Sequence, residues 1–164
     1  MTVTDTLTRW TDRGRTLAEG MAFAPALLTR LVIGAAFVQT GLGKWQHLAR
    51  TADFFASAGI PFPAANAVLV ATFELVGGPL LVLGLGTRPT SAVLASTMVV
   101  ALLTADRAAF LGALKPGGES GLTDVTAFVF LLFLLWLATF GPGPVSLDRW
   151  LRARRSRKDA APAP

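Results

Sequence analysis

The amino-acid sequence predicts an all-α membrane protein, a four-helix transmembrane bundle with both termini cytoplasmic. Three observations predict it: a high apolar content, four long apolar segments, and basic residues concentrated on one side of those segments. Of the 164 residues, 52% are hydrophobic and 15% are charged, and the mean hydropathy is +0.55. Soluble domains carry about 25% charged residues, and disordered chains combine high charge with low hydrophobicity. The composition therefore argues against both classes, and the length fits one domain.

Four apolar segments divide the chain, at about residues 26–45, 64–86, 89–105 and 123–141. A helix that crosses the hydrocarbon core needs about 20 mostly apolar residues. Glycine and proline clusters such as Gly84–Pro89 and Gly141–Pro144 separate or end the segments, because these residues favour turns. The sequence predicts a polar cytoplasmic N-tail over 1–24, the bundle over 25–144, and an interfacial basic segment with a disordered C-tail over 145–164.

The distribution of basic residues predicts the orientation. With four spans, the side that carries both termini holds eleven of the fifteen Lys and Arg residues. Basic residues accumulate on the cytoplasmic side, so we expect both termini in the cytoplasm and the chain in the plasma (inner) membrane. Six basic residues follow the last apolar segment, a pattern typical of a tail held at an anionic leaflet. The expected partner is the lipid bilayer, and nucleic-acid binding is not expected.

The content of metal-binding residues restricts the cofactors. The chain has no cysteine and a single histidine, His47. These residues cannot supply a disulfide, an iron–sulfur cluster, a thiolate zinc site or a haem site with two histidine ligands. We therefore expect no metal site, and any electrons would have to come from a partner protein or a bound donor.

Glu74 is the single charged residue of the second apolar segment. A carboxylate inside a membrane is costly and usually faces a partner or a cavity. Gly77 and Gly78 lie on the same helix face and let another backbone approach closely. Two roles stay open for Glu74: an ion pair that holds the bundle together, or a part in binding a quinone, a substrate or a proton.

Arg30 and Lys44 of the first segment are the candidate partners of Glu74. They lie 14 positions apart, so they fall on nearly the same face of a helix. Gly41 lies on that face as well and is a candidate helix-packing residue, like Gly77 and Gly78. Each residue alone could instead reach the nearest membrane interface. Because lipid-facing charge is costly, we expect at least one of them to pair with Glu74.

Further candidates lie near the ends of the predicted spans. Arg88, in the turn between the second and third spans, is a candidate for ligand binding or an ion pair. Asp124 follows a threonine at the start of the fourth span and either caps that helix or takes part in chemistry. The topology places five polar residues at the membrane face opposite the termini: Lys44, His47, Asp106, Arg107 and Asp124.

Several short motifs together resemble the DoxX family of small four-span membrane proteins. In chain order they are Arg30-Leu31, Gly41-Leu42-Gly43-Lys44-Trp45, Phe54-Phe55, Gly59-Ile60-Pro61, Glu74-Leu75-Val76-Gly77-Gly78, Gly84-Leu85-Gly86-Thr87-Arg88, Gly141-Pro142-Gly143 and Ser146-Leu147-Asp148. The resemblance covers about residues 26–151. One departure is Thr40, which stands where the family often has a histidine, so a role carried by that histidine does not transfer.

The resemblance implies a membrane component of a quinone-linked oxidoreductase. Relatives in the family include the membrane subunits of thiosulfate:quinone oxidoreductase, and others associate with thiol and oxidative-stress enzymes. The first hypothesis is therefore a subunit that binds a quinone near Glu74 and a redox partner protein. The alternative is a non-catalytic membrane scaffold or assembly factor. A small-solute carrier ranks last, because the sequence has no inverted repeat.

Overall fold

The computed structural model describes residues 21, 23–115 and 121–159, and this part of the chain is helical. The all-α prediction is confirmed there. Seven α-helices follow one another, with a short 3₁₀ turn over Leu122–Asp124 before the sixth: α1 Ala24–Gln46, α2 Leu48–Ser57, α3 Pro63–Leu83, α4 Thr87–Leu103, α5 Arg107–Ala113, α6 Thr126–Phe140 and α7 Leu147–Asp159. The predicted N-tail over 1–24 and C-terminal disorder fall almost entirely outside the described residues.

The four long helices α1, α3, α4 and α6 correspond to the four predicted segments, with shifted ends. Helix α3 ends at Leu83, three residues earlier than predicted, because Gly84 takes a left-handed conformation with φ of +67°. Glycine adopts this conformation without steric cost, so it terminates the helix there. Helix α6 begins at Thr126 instead of 123, because Val125 is extended after the 3₁₀ turn.

Two short helices, α2 and α5, lie in connections where the sequence predicted no element. Helix α2 packs along α3. Helix α5 follows α4 after a sharp bend of 80°. Neither helix contains an apolar run of membrane-spanning length, which is the pattern that predicted the long helices.

The bundle is built from two closely packed helix pairs. Helix α1 packs mainly on α3, and α4 packs mainly on α6. The α1–α3 contact is backbone against backbone: a Cβ atom added to Gly34 would lie 2.8 Å from the carbonyl oxygen of Gly78. A core of aliphatic and aromatic side chains joins the two pairs: Ile33, Phe37, Leu81, Leu94, Ala95, Leu134 and Leu137.

The outer surface of the bundle fits a lipid environment. Exposed apolar side chains surround the long helices, among them Val32, Val76, Leu103 and Leu132. Helices α1 and α3 are each long and apolar enough to cross a membrane, and the bent pair α4–α5 is a third candidate span. Helix α6 is strongly apolar but has 15 residues. The fold is therefore an all-helical membrane domain with two or three candidate spans by length.

Candidate functional site

Lys44 and Glu74 form an ion pair between α1 and α3. The Lys44 Nζ atom lies 2.5 Å from Glu74 Oε2 and donates a hydrogen bond to it. The Glu74 side chain is 2% exposed, whereas the Lys44 side chain is 28% exposed. This is the single salt bridge within the ranges that the structure describes. The carboxylate is thus held inside the bundle, and the ammonium group also reaches accessible space.

Close helix packing brings the pair together. A Cβ atom added to Gly41 would lie 2.5 Å from the backbone nitrogen of Leu75, next to Glu74. Since Lys44 lies three residues beyond Gly41, this contact places it on the turn of α1 that faces Glu74. Gly78 makes a similar close approach to α1, and Gly77 packs against Leu94 of α4. All three glycines therefore lie at close helix contacts, and the contact at Gly41 is the one beside Glu74.

A cavity of about 400 Å³ lies beside the ion pair, and apolar atoms form most of its wall. Helices α1, α2, α3, α4 and α6 all contribute to it, and we call it the central cavity. The ion pair and nearby aromatic rings form one part of its wall: Phe37, Lys44, Phe54, Phe55, Phe73, Glu74 and Phe130. Binding sites for small organic molecules are usually apolar clefts of this kind with a few polar groups.

Three hydroxyl groups in the wall of the central cavity donate to their own helices. Thr40, Ser96 and Thr97 donate to the carbonyl oxygens of Phe37, Val93 and Leu94, over 3.3, 2.6 and 2.8 Å. Each hydroxyl oxygen still offers a lone pair to a ligand. Lys44 has three N–H bonds and uses one for Glu74, so it is the strongest donor available to a ligand there.

Arg30 does not pair with Glu74. Its side chain is 1% exposed, and its two terminal nitrogens donate to the carbonyl oxygens of Pro142 and Val145 over 3.0 and 2.7 Å. Gly84 packs against the guanidinium, where a side chain would collide with it. The choice that the sequence left open is thus resolved in the structure: Lys44 holds Glu74, and Arg30 ties the loop before α7 to α1.

Arg88 and Asp124 lie away from the central cavity. Arg88 donates to the carbonyl oxygen of Thr139 over 3.1 Å, which links the start of α4 to the end of α6. Asp124 is exposed, and its Oδ2 accepts a hydrogen bond of 2.8 Å from the backbone N–H of Gly121. The sequence placed five polar residues at the membrane face opposite the termini. Of these, Lys44 and Asp106 line the central cavity.

Asp148 is a structural residue that sequence reasoning did not single out. Its two carboxylate oxygens accept hydrogen bonds from the backbone N–H groups of Gly86 and Thr87, over 2.8 and 3.1 Å. A carboxylate at a helix N-terminus satisfies free N–H groups and complements the helix dipole. Asp148 belongs to α7, so it holds that helix against the start of α4. The sequence signal for this role is an acidic side chain at the second residue of a helix that follows a loop of glycine and proline.

Helix α2 supplies two cavity residues, Phe54 and Phe55, which belong to the family motifs but had no predicted position in the fold. Phe54 and Phe55 line the central cavity, and Phe55 packs with Ile60 and Ala67 in a separate apolar cluster. Asn66 of α3 also lines the cavity and donates to the carbonyl oxygen of Pro61 over 2.6 Å. The apolar side of this ten-residue helix was the available signal.

Comparison with known proteins identifies the family. The family model for DoxX matches residues 26–107, which include α1 from its third residue, α2 to α4 and both members of the ion pair. The chain belongs to the DoxX family. The resemblance seen in the sequence motifs is thereby confirmed, and the protein is a membrane protein of the DoxX type. No solved structure matches the chain.

Three similar proteins come from bacteria. "Putative oxidoreductase CatD" of Bacillus subtilis is 38% identical over 87 residues, which is 52% of this DoxX chain and 63% of that protein. "Uncharacterized membrane protein Rv3486" of Mycobacterium tuberculosis is 35% identical over 137 residues, or 76% and 80% of the two chains. "Inner membrane protein YphA" of Escherichia coli is 31% identical over 126 residues, or 75% and 87%.

Proposed function

We propose that the protein is the membrane subunit of a quinone-linked oxidoreductase and binds the quinone head group in the central cavity. The observation that carries this proposal is the Lys44–Glu74 pair in the wall of a mostly apolar cavity of about 400 Å³. The similar protein named "Putative oxidoreductase CatD" supports the reaction class. The family resemblance supports a thiosulfate:quinone type of reaction or a thiol and oxidative-stress complex.

The cavity has the chemistry that a quinone head group requires. A quinone ring is flat and apolar on its faces, and its carbonyl oxygens accept hydrogen bonds. Phe37 and Phe73 offer apolar walls, and the ammonium group of Lys44 offers donors at the cavity surface. The volume lies within the about 300–1,000 Å³ that is usual for ligand pockets.

Each member of the ion pair has a distinct task in this proposal. Lys44 donates one hydrogen bond to a quinone carbonyl oxygen and keeps its hydrogen bond to Glu74. Glu74 fixes the position of the ammonium group through Oε2, inside the bundle and next to the cavity. When bound, a quinone supplies an acceptor for two electrons and two protons, and the electrons come from a redox partner protein.

The proposed topology has four spans in the plasma (inner) membrane with both termini cytoplasmic. In a four-span topology α1, α3, α4 and α6 alternate in direction, and the basic residues favour the side of the termini. A reporter fused near Arg88 or after Lys158 should be cytoplasmic, and one fused near Lys115 should be outside. Signals on the same side from the Lys115 and Lys158 fusions would contradict the four-span topology.

A binding experiment tests the proposed function. A short-chain quinone analogue should raise the melting temperature of the purified full chain, because a ligand that binds only the folded state stabilises it. The shift should shrink in Lys44→Gln and in Glu74→Gln. Ala101→Leu, which adds three carbon atoms to the cavity wall and leaves the ion pair intact, should abolish it.

Asp124→Asn is the matched control, because Asp124 is a carboxylate outside the central cavity. This variant should keep the full shift. An analogue that stabilises Ala101→Leu as strongly as the wild type would show that it binds elsewhere. If the analogue stabilises no folded protein, wild type included, the ion pair is a packing element and the scaffold hypothesis takes first place.

A further inference from the structure

The end of the bundle opposite the central cavity carries two grooves, which lie on either side of α7. The first has a volume of about 420 Å³ and lies between α7, the end of α3 and the start of α4. The second has about 300 Å³ and lies between α7 and the loop after α6. Arg152 and Asp148 line both grooves, so the two share one wall. We call them the basic grooves.

Four arginines give the basic grooves a strong positive charge. Arg155 lines the first groove, Arg88 and Arg149 line the second, and Arg152 lines both. Among the side chains that the structure describes, no carboxylate oxygen lies within 4.0 Å of these guanidinium groups. The one acid in the walls, Asp148, already accepts two backbone hydrogen bonds from the start of α4. The acidic residue in the walls therefore does not neutralise the four arginines of the basic grooves.

Apolar side chains lie next to the arginines in both grooves. Leu80, Leu85 and Leu151 line the first groove, and Phe140 lines the second with 74% of its surface exposed. These apolar residues belong to or adjoin the ends of the long helices, at the level where a lipid head group meets its acyl chains. Guanidinium groups bind phosphate oxygens in bidentate geometry. A soluble anion would use the arginines but not the apolar side chains.

We propose that the basic grooves bind the phosphodiester head group of an anionic phospholipid, with its acyl chains along the exposed ends of α3 and α6. Arg152 contacts the phosphate from the shared wall, and Arg149 or Arg155 completes the contact in each groove. This site is separate from the central cavity and does not depend on the proposed redox function. It fixes α7 to the membrane surface through a defined lipid and adds to general attraction by the basic tail.

Lipid titration of the full chain in a neutral detergent tests the proposal. Phosphatidylglycerol should bind at least about tenfold more tightly than phosphatidylcholine of the same acyl chains, measured by native mass spectrometry. The double variant Arg149→Gln/Arg152→Gln should lose about 25-fold in phosphatidylglycerol affinity, at about fivefold for each arginine. The structure shows no hydrogen bond from either guanidinium within the described residues, so this variant should fold, and its circular dichroism checks that it does.

Arg154→Gln is the matched control. It removes one positive charge from α7, as each substitution of the double variant does, but Arg154 stacks on the ring of Trp150 at 3.8 Å and lines neither groove. Its affinity for phosphatidylglycerol should change by less than about twofold. Equal losses in Arg154→Gln and the double variant would overturn the site, as would equal binding of the two lipids. Inorganic phosphate that binds as tightly as phosphatidylglycerol would overturn the assignment to a lipid.

Discussion

Replacing Lys44 by glutamine should destabilise the protein more than replacing Glu74 by glutamine. The two partners differ in burial, with 2% of the Glu74 side chain exposed against 28% of Lys44. Lys44→Gln leaves a carboxylate inside the bundle without its counter-charge. Loss of one partner of a buried pair costs about 3–5 kcal/mol in soluble proteins. Glu74→Gln leaves an ammonium group that can turn toward accessible space, so we expect a loss of about 1–2 kcal/mol.

The double variant isolates the interaction between the two side chains. Lys44→Gln/Glu74→Gln removes both charges, so it should be about 1–2 kcal/mol more stable than Lys44→Gln alone. The unfolding free energy can be measured by titration with a denaturing detergent, followed by circular dichroism. Lys115→Gln, at an exposed site, is the control for the loss of one positive charge. A Lys44→Gln loss no larger than the Glu74→Gln loss, with additive effects in the double variant, would refute a buried ion pair.

Three further predictions concern packing and the loop before α7. Arg30→Lys keeps the charge but cannot reach both loop carbonyls, so melting in detergent should reveal a loss of about 1–3 kcal/mol; an unchanged melting temperature would contradict the two hydrogen bonds. Asp148→Ala should cost about 1–2 kcal/mol and increase hydrogen exchange at the start of α4, whereas unaltered exchange there would argue against the cap. Gly41→Ala should destabilise by about 1–3 kcal/mol, because its Cβ atom meets the backbone of α3. Gly43→Ala, with open space around the added atom, should not destabilise, and equal losses in both would contradict the close contact.

The long helices could be predicted because their signals are local. Apolar runs give α1, α3, α4 and α6, and the turn glycines give their ends to within a few residues. The short helices α2 and α5 could not be found in this way, because each lies in a connection and covers ten or fewer residues. The consequence matters for the site, since Phe54 and Phe55 of α2 line the central cavity.

The partner of Glu74 could not be predicted, because helix periodicity gives the face of a residue but not its depth. Arg30 and Lys44 share a face and lie about 21 Å apart along α1. Which of them meets Glu74 depends on how far α1 slides along α3. The contact between Gly41 and Leu75 sets that position, and it brings Lys44 to Glu74. Gly41 therefore indicates the partner of Glu74 only when its contact on α3 is known, and the sequence does not give that contact.

The two cations of α1 thus differ in the room that their charged groups leave for a ligand. The Arg30 guanidinium is fully buried and donates to two loop carbonyls, and Gly84 packs against it, so it has no room for a ligand. Lys44 has one carboxylate partner, partial exposure and a cavity beside it. An ammonium group with unused donors at an apolar cavity is suited to bind a ligand oxygen. Loss of Arg30 contacts should therefore lower stability and spare the affinity for a quinone analogue, whereas Lys44→Gln should lower both.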